Sequence, residues 1–92
     1  MTPQYTNPRH IVIARHALGL GDGVTTSYRN RFAAPPNTEN WNRLMEMVSL
    51  GFAETFGGVQ NGTQLFWLTQ EGAEAALHEG ESLCTEYFQL AA

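Results

Sequence analysis

The sequence predicts an α+β domain in which three helices are followed by a β-hairpin and a C-terminal helix. Three observations carry that expectation. Trp41, Leu44, Met45 and Val48 recur at i, i+3, i+4 and i+7, which places them on one helical face. Residues 63–68 are rich in β-formers and follow the turn signals Gly57-Gly58 and Asn61-Gly62. A chain of 92 residues with 42% hydrophobic content fits a single small domain, 1–92, with a modest core. A domain of this size hides roughly 60–65% of the surface of its unfolded chain.

Taken in order, residues 1–7 read as a flexible lead-in. Asn7-Pro8 then starts a helix, with Asn as cap and Pro at the first helical position. Ile11, Ala14 and Leu18 share a face of this helix, and Gly19-Leu20-Gly21 stops it. The β-branched run Ile11-Val12-Ile13 would suit a strand, but the Pro start and Gly stop favour the helix. After a loop, Thr25-Thr26-Ser27 offers caps for a short second helix over residues 28–33, ended by Pro35-Pro36. Read instead as a strand, that segment would put Tyr28, Asn30 and Phe32 on one side and Arg29 and Arg31 on the other; the helix is the preferred reading.

The third helix begins after Thr38, with Glu39 in its first turn, and Gly51 follows its end. Residues 52–56 and 63–68 make the hairpin. Thr69 caps the last helix, which carries Glu71 early and Ala73, Ala76 and Leu77 as an apolar stripe, with Gly80 to interrupt or end it. Leu83, Cys84, Tyr87, Phe88 and Leu90 are apolar enough to pack as a final turn or tail. The expected core is Ile11, Leu18, Phe32, Trp41, Leu44, Val48, Phe52, Phe66, Leu68, Ala73 and Leu77.

Charge is unevenly distributed. The chain has no lysine and five arginines. Residues 1–43 hold all five arginines against Asp22 and Glu39, a balance of +3, whereas residues 44–92 hold seven glutamates and no base, a balance of −7. If the halves occupy different faces, the surface is polarised. The acidic half would then suit a basic partner surface. The single cysteine, Cys84, has no internal partner, as in chains made for a reducing compartment. No apolar run approaches the roughly 18–20 residues that span a bilayer, and residues 1–9 lack a signal-peptide core.

The motifs argue against catalysis and cofactors. His10 and His16 lie six positions apart, as do His78 and Cys84, and neither spacing is that of a metal-ligand pair. Asp22, in a glycine loop, is the only aspartate available to orient a catalytic His. Gly19-x-Gly21-x-Gly23 follows a helix rather than the strand a phosphate loop requires. The expectation is a non-enzymatic protein without metal or cofactor. For binding, Arg15 and the cluster Tyr28, Arg29, Asn30 and Arg31 are the candidate partner contacts, because aromatics beside arginines are favoured at interfaces. The bland alternative buries Tyr28 and Phe32 and leaves the arginines solvated. Asn40, Asn42 and Arg43 are the alternative candidates, as base readers on the third helix. Glu39 and Glu46 flank them, and the hairpin holds Glu54 and no base.

Two resemblances add to this reading. Over residues 41–77, the text Leu44-Met45-Glu46-Met47-Val48-Ser49-Leu50-Gly51-Phe52-Ala53 resembles the end of a recognition helix running into a wing. Leu65-Phe66-Trp67-Leu68-Thr69-Gln70-Glu71-Gly72 resembles a return strand followed by the Leu-Thr-x-x-Gly helix start of winged-helix domains. This resemblance implies a winged-helix-like arrangement and, as an alternative function, a DNA-binding regulator. The chain also resembles small bacteriophage accessory proteins, through Arg15-His16-Ala17-Leu18-Gly19-Leu20, Tyr28-Arg29-Asn30-Arg31-Phe32 and the Leu-Thr-x-x-Gly ending. Such proteins include anti-CRISPR and other anti-defence inhibitors. That resemblance implies a protein that blocks a host protein or ribonucleoprotein complex in the cytoplasm of a bacterial host. A virion or assembly protein is the third reading.

Overall fold

A computed structural model describes residues 4–86 and residue 88. It contains three helices and a three-stranded antiparallel sheet, in the order α1 (Pro8–Leu18), β1 (Phe32–Ala34), α2 (Glu39–Ser49), β2 (Ala53–Thr55), β3 (Gln64–Leu68) and α3 (Gln70–Ala75). The sheet order is β1-β3-β2, so the last strand lies in the middle. Among the described residues no helix is long and apolar enough to cross a membrane.

The helices start where their caps predict. Asn7 accepts from the Arg9 N–H at 2.9 Å, Thr38 accepts from Trp41, and Thr69 accepts from the Gly72 N–H at 3.1 Å; each satisfies a first-turn donor that has no partner inside its helix. Gly19 closes α1 in the left-handed region (φ 78), and the Tyr28 ring occupies the space a side chain there would need. Gly72 is constrained differently, by the Phe52 carbonyl lying against its Cα. β2 and β3 form the expected hairpin, closed by Asn61-Gly62 between the paired residues Gln60 and Thr63.

The expected second helix is not formed. Residues 28–31 are extended and lead into β1, which pairs with β3 through Phe32↔Phe66, Ala33↔Leu65 and Ala34↔Gln64. The physical reason is tertiary. A helix of six residues is marginal without tertiary support, and this segment instead finds its partners at the end of α1 and on β3. The Tyr28 and Arg31 N–H groups donate to the Leu18 and Ala17 carbonyls at the end of α1. The Asn30 side chain bonds both backbone groups of Leu68, accepting from N–H at 2.8 Å and donating to the carbonyl at 3.0 Å. Two helices, not three, therefore precede the hairpin, with a strand between them.

The lead-in differs too. Tyr5, placed in a flexible segment by the sequence, is half-buried: its ring lies 4.3 Å from that of Phe52 and its hydroxyl donates to the Gly72 carbonyl at 2.8 Å. Burial pushes the Tyr5 phenol well above its ordinary range. α3 ends at Ala75, before Gly80. Beyond it the chain returns to residues 25–27: the Ser27 N–H donates to the Ser82 carbonyl at 3.0 Å, the Ser82 N–H to the Thr25 carbonyl at 2.9 Å, and the Cys84 N–H to the Ser27 hydroxyl at 2.8 Å. Leu83 and Phe88 are buried there, while Tyr87 and Leu90 lie outside the described residues.

Phe66, Leu18, Leu44 and Met47 are the largest fully buried side chains. They form one cluster with Ile13, Ala14, Ala17, Phe52, Leu68, Ala73 and their neighbours. Of the expected core, Phe32, Trp41, Val48 and Leu77 pack at its margin, and Ile13 takes the central place expected of Ile11. A buried polar node sits beside it. Trp41 Nε1 donates to Gln64 Oε1 at 2.9 Å, and Gln64 Nε2 donates to the Thr55 hydroxyl at 2.8 Å and the Phe56 carbonyl at 3.1 Å, so the buried amide is satisfied at both ends.

Candidate interaction face on the sheet

A strand sends alternate side chains to opposite faces of its sheet. In β3, Gln64, Phe66 and Leu68 point into the body and Leu65 and Trp67 point out. Cross-strand pairing extends the outer set: Ala33 sits opposite Leu65, and Glu54 opposite Trp67. Phe56 packs edge-on against Trp67 at 4.9 Å and remains 63% exposed. Trp67 Nε1 donates to Glu54 Oε1 at 3.1 Å, which anchors the indole on the sheet. Exposed apolar surface gathered in this way differs from the isolated exposed residues every protein carries.

Two shallow depressions meet on this face. One, of about 320 Å³, runs from Ala33 and Leu65 to Phe56 and the hairpin loop. The other, of about 340 Å³, is lined by His16, Arg29, Arg31, Phe32, Ala33 and Leu65. Ala33 and Leu65 belong to both, so the face is continuous from the hairpin loop to the end of α1.

The five arginines divide into two kinds. Arg9 pairs with Glu39 at 2.8 Å and Arg43 with Glu46 at 3.0 Å. Arg15 grips Glu81 with both terminal nitrogens, the second at 2.7 Å, and also donates to the Ala76 carbonyl at 3.0 Å. Its side chain is only 15% exposed. The bond from Arg15, helped by the His78 N–H, holds the Glu81 carboxyl down to about 2, and the same bond to Glu81 raises the Arg15 guanidinium above its ordinary value. Arg15 is thus a staple between α1 and the segment after α3, not an exposed contact. Because Arg15 takes Glu81 and His10 meets Glu46 at 2.9 Å, the two halves of the chain pack against each other rather than standing apart as separate charged faces.

Arg29 and Arg31 form no ion pair among the described residues. Arg29 Nε and Nη2 donate to the His16 carbonyl at 3.2 and 2.6 Å, so its charge sits where the end of α1 carries partial negative charge. Its guanidinium also lies 5.4 Å from the centre of the Tyr28 ring, which is 57% exposed. Arg31 is exposed beside it, and the His16 ring packs against Phe32 at 5.1 Å.

The structure thus brings Tyr28, Arg29 and Arg31 to one side of the sheet face and withdraws Arg15 and Asn30 into structural bonds. Asn40 and Asn42 are exposed on α2, but Arg43 between them and the body is turned to Glu46. Sequence reasoning missed Leu65, Trp67, Phe56, Ala33 and His16 as surface elements. The signal was the alternation within residues 64–68, whose odd phase is the outer face.

The free edge of β1 is covered at its two ends. Pairing of Asn30, Phe32 and Ala34 toward β3 turns the backbone of residues 31, 33 and 35 to the open side. There the Arg31 N–H is taken by the Ala17 carbonyl at 3.1 Å. Pro35 has no N–H, and its carbonyl accepts from the Thr38 hydroxyl at 2.7 Å. No family model, curated protein or solved structure matches this chain.

Proposed function

We propose that this chain is a non-enzymatic binding domain that docks on a protein partner through the outer face of its sheet. The partner is a host protein or ribonucleoprotein complex, which the bound domain blocks in the cytoplasm of a bacterial cell, in the manner of phage anti-defence inhibitors. One observation carries this reading: Leu65, half-buried Trp67 and Phe56 form an apolar outer face that adjoins two arginines with no ion pair among the described residues. Tryptophan, tyrosine and arginine are the residue types that concentrate binding energy at protein interfaces.

The winged-helix resemblance of residues 41–77 belongs to the same proposal, as a unit whose hairpin serves protein docking in place of DNA. Duplex recognition has less support. It needs clustered free cations to neutralise phosphates, while Arg43 is engaged by Glu46 and the hairpin carries Glu54.

The test is affinity capture from a bacterial lysate, with and without nuclease, using the wild-type chain and Leu65→Glu. A stoichiometric, nuclease-resistant partner that Leu65→Glu fails to capture supports the proposal. Nuclease-sensitive recovery of many nucleic-acid proteins, or a partner that Leu65→Glu still retains, sinks it.

A further inference from the structure

We propose that the depression between the end of α1 and the sheet receives an aspartate or glutamate side chain of the protein partner, set beside an apolar residue that covers Leu65. The inference rests on the sheet-face reading and adds the chemistry of the occupant.

Charge complementarity identifies it. Arg9, Arg15 and Arg43 each hold a carboxylate of this chain, whereas Arg29 and Arg31, which line this depression together, hold none among the described residues. Arg29 is also ordered before any partner arrives. Its Nε and Nη2 are fixed on the His16 carbonyl and its plane lies near the Tyr28 ring, while Nη1 makes no hydrogen bond among the described residues. A donor fixed in this way loses little entropy when an acceptor binds. The floor is apolar, made by Phe32, Ala33 and Leu65. A carboxylate lowered onto it would leave part of its water shell, and its attraction to the two guanidinium groups would gain from the lower local dielectric.

The surroundings favour a carboxylate on a protein over the phosphates of a nucleic acid. A strand of nucleic acid presents a phosphate at every step and needs a track of cations. Here two arginines are followed along the same face by Leu65, Trp67 and then Glu54, on a chain of net charge −4. One or two point charges followed by an apolar surface match an acidic residue flanked by apolar ones.

The experiment is a titration of the 15N-labelled chain followed by NMR. The probes are the peptide acetyl-Asp-Glu-Phe-Asp-amide, its uncharged counterpart acetyl-Asn-Gln-Phe-Asn-amide, and a ten-residue oligothymidylate. The acidic peptide is expected to shift the side-chain Nε–H signals of Arg29 and Arg31 and the amide of Leu65. The uncharged peptide should bind about two- to five-fold more weakly, the range of an exposed ion pair. Arg31→Gln, which removes no bond within the fold, should reduce that difference while leaving the core amide signals in place. Equal affinity for the two peptides would overturn the acidic-residue inference and leave the sheet-face reading standing. Tighter binding of the oligothymidylate at these residues would overturn the choice of a protein occupant. Absence of any shift with the acidic peptide would overturn the inference outright.

Discussion

On the inner face of β3, Phe66 is fully buried and Gln64 and Leu68 nearly so; on its outer face, Leu65 keeps 37% of its surface exposed and Trp67 is half-buried. Phe66 and Leu68 on the inner face are no more apolar in type than Leu65 and Trp67 on the outer, and one step of register separates them. The inner face has α1, α2, α3 and a polar node to cover it. The outer face has Phe56 and Glu54 beside Trp67 and no helix among the described residues. Apolar character by itself therefore does not mark the core of a small domain. What distinguishes the faces is the number of layers the chain can supply, and three short helices cover one side.

Substitution separates the two faces most strongly at Phe66. Phe66→Ala should cost about 3–5 kcal/mol through lost burial and the cavity left behind, read as a lower urea midpoint. Leu65→Ser, one position away, should stay within about 1 kcal/mol of wild type in the same measurement, since exposed sites carry little stability. Comparable losses for both would mean that the outer face is part of the core.

Asn30→Ala comes next. It strips the partners from the Leu68 N–H and carbonyl at once, and a cost of about 1–3 kcal/mol is expected for buried backbone groups left unsatisfied. Hydrogen exchange should localise the loss to residues 64–68. Uniform loss of protection across all three helices would contradict a local role.

Arg15 and Arg31 then sharpen the contrast between a structural and a free arginine. The Glu81 carboxyl is held at about 2 against an ordinary 4.5. A carboxyl depressed on folding contributes stability that is complete above its unfolded value and is lost as pH falls through its folded one. Acid should therefore weaken the fold between pH 4.5 and 2, and Arg15→Met should flatten the profile in that window. An unchanged acid limb in Arg15→Met would contradict the staple. Arg31→Gln gives the smallest effect, a stability within about 0.5 kcal/mol of wild type at any pH, with the consequence confined to partner binding.

The legible parts of this chain are those whose signals are local. Asn7-Pro8, Thr38 and Thr69 each start a helix as their side-chain oxygens and position predict, and Asn61-Gly62 closes the hairpin. β1 was not legible because its three residues owe their conformation to β3, over thirty positions later. The extended alternative for residues 28–32 set Arg29 and Arg31 opposite Asn30 and Phe32, as found, but misplaced Tyr28, which is exposed beside Arg29; what it lacked was the partner strand. Arg29 and Arg31 were singled out because aromatics lie beside them, and the structure leaves both without an ion pair among the described residues. Arg15 was not separable from them, because Glu81 is 66 positions away and nothing nearby announces the pairing.

The covered ends of the β1 rim have an evolutionary consequence on the proposed docking reading. With the Arg31 N–H and the Pro35 carbonyl already occupied, the main chain open on that rim narrows to the middle of the strand at Ala33, and recognition would fall mostly to side chains. Main-chain pairing is nearly indifferent to sequence, whereas a surface of Leu65, Trp67, Tyr28, Arg29 and Arg31 is rewritten one codon at a time. On the proposed docking reading, such a domain could follow a changing target by single substitutions without disturbing the scaffold beneath.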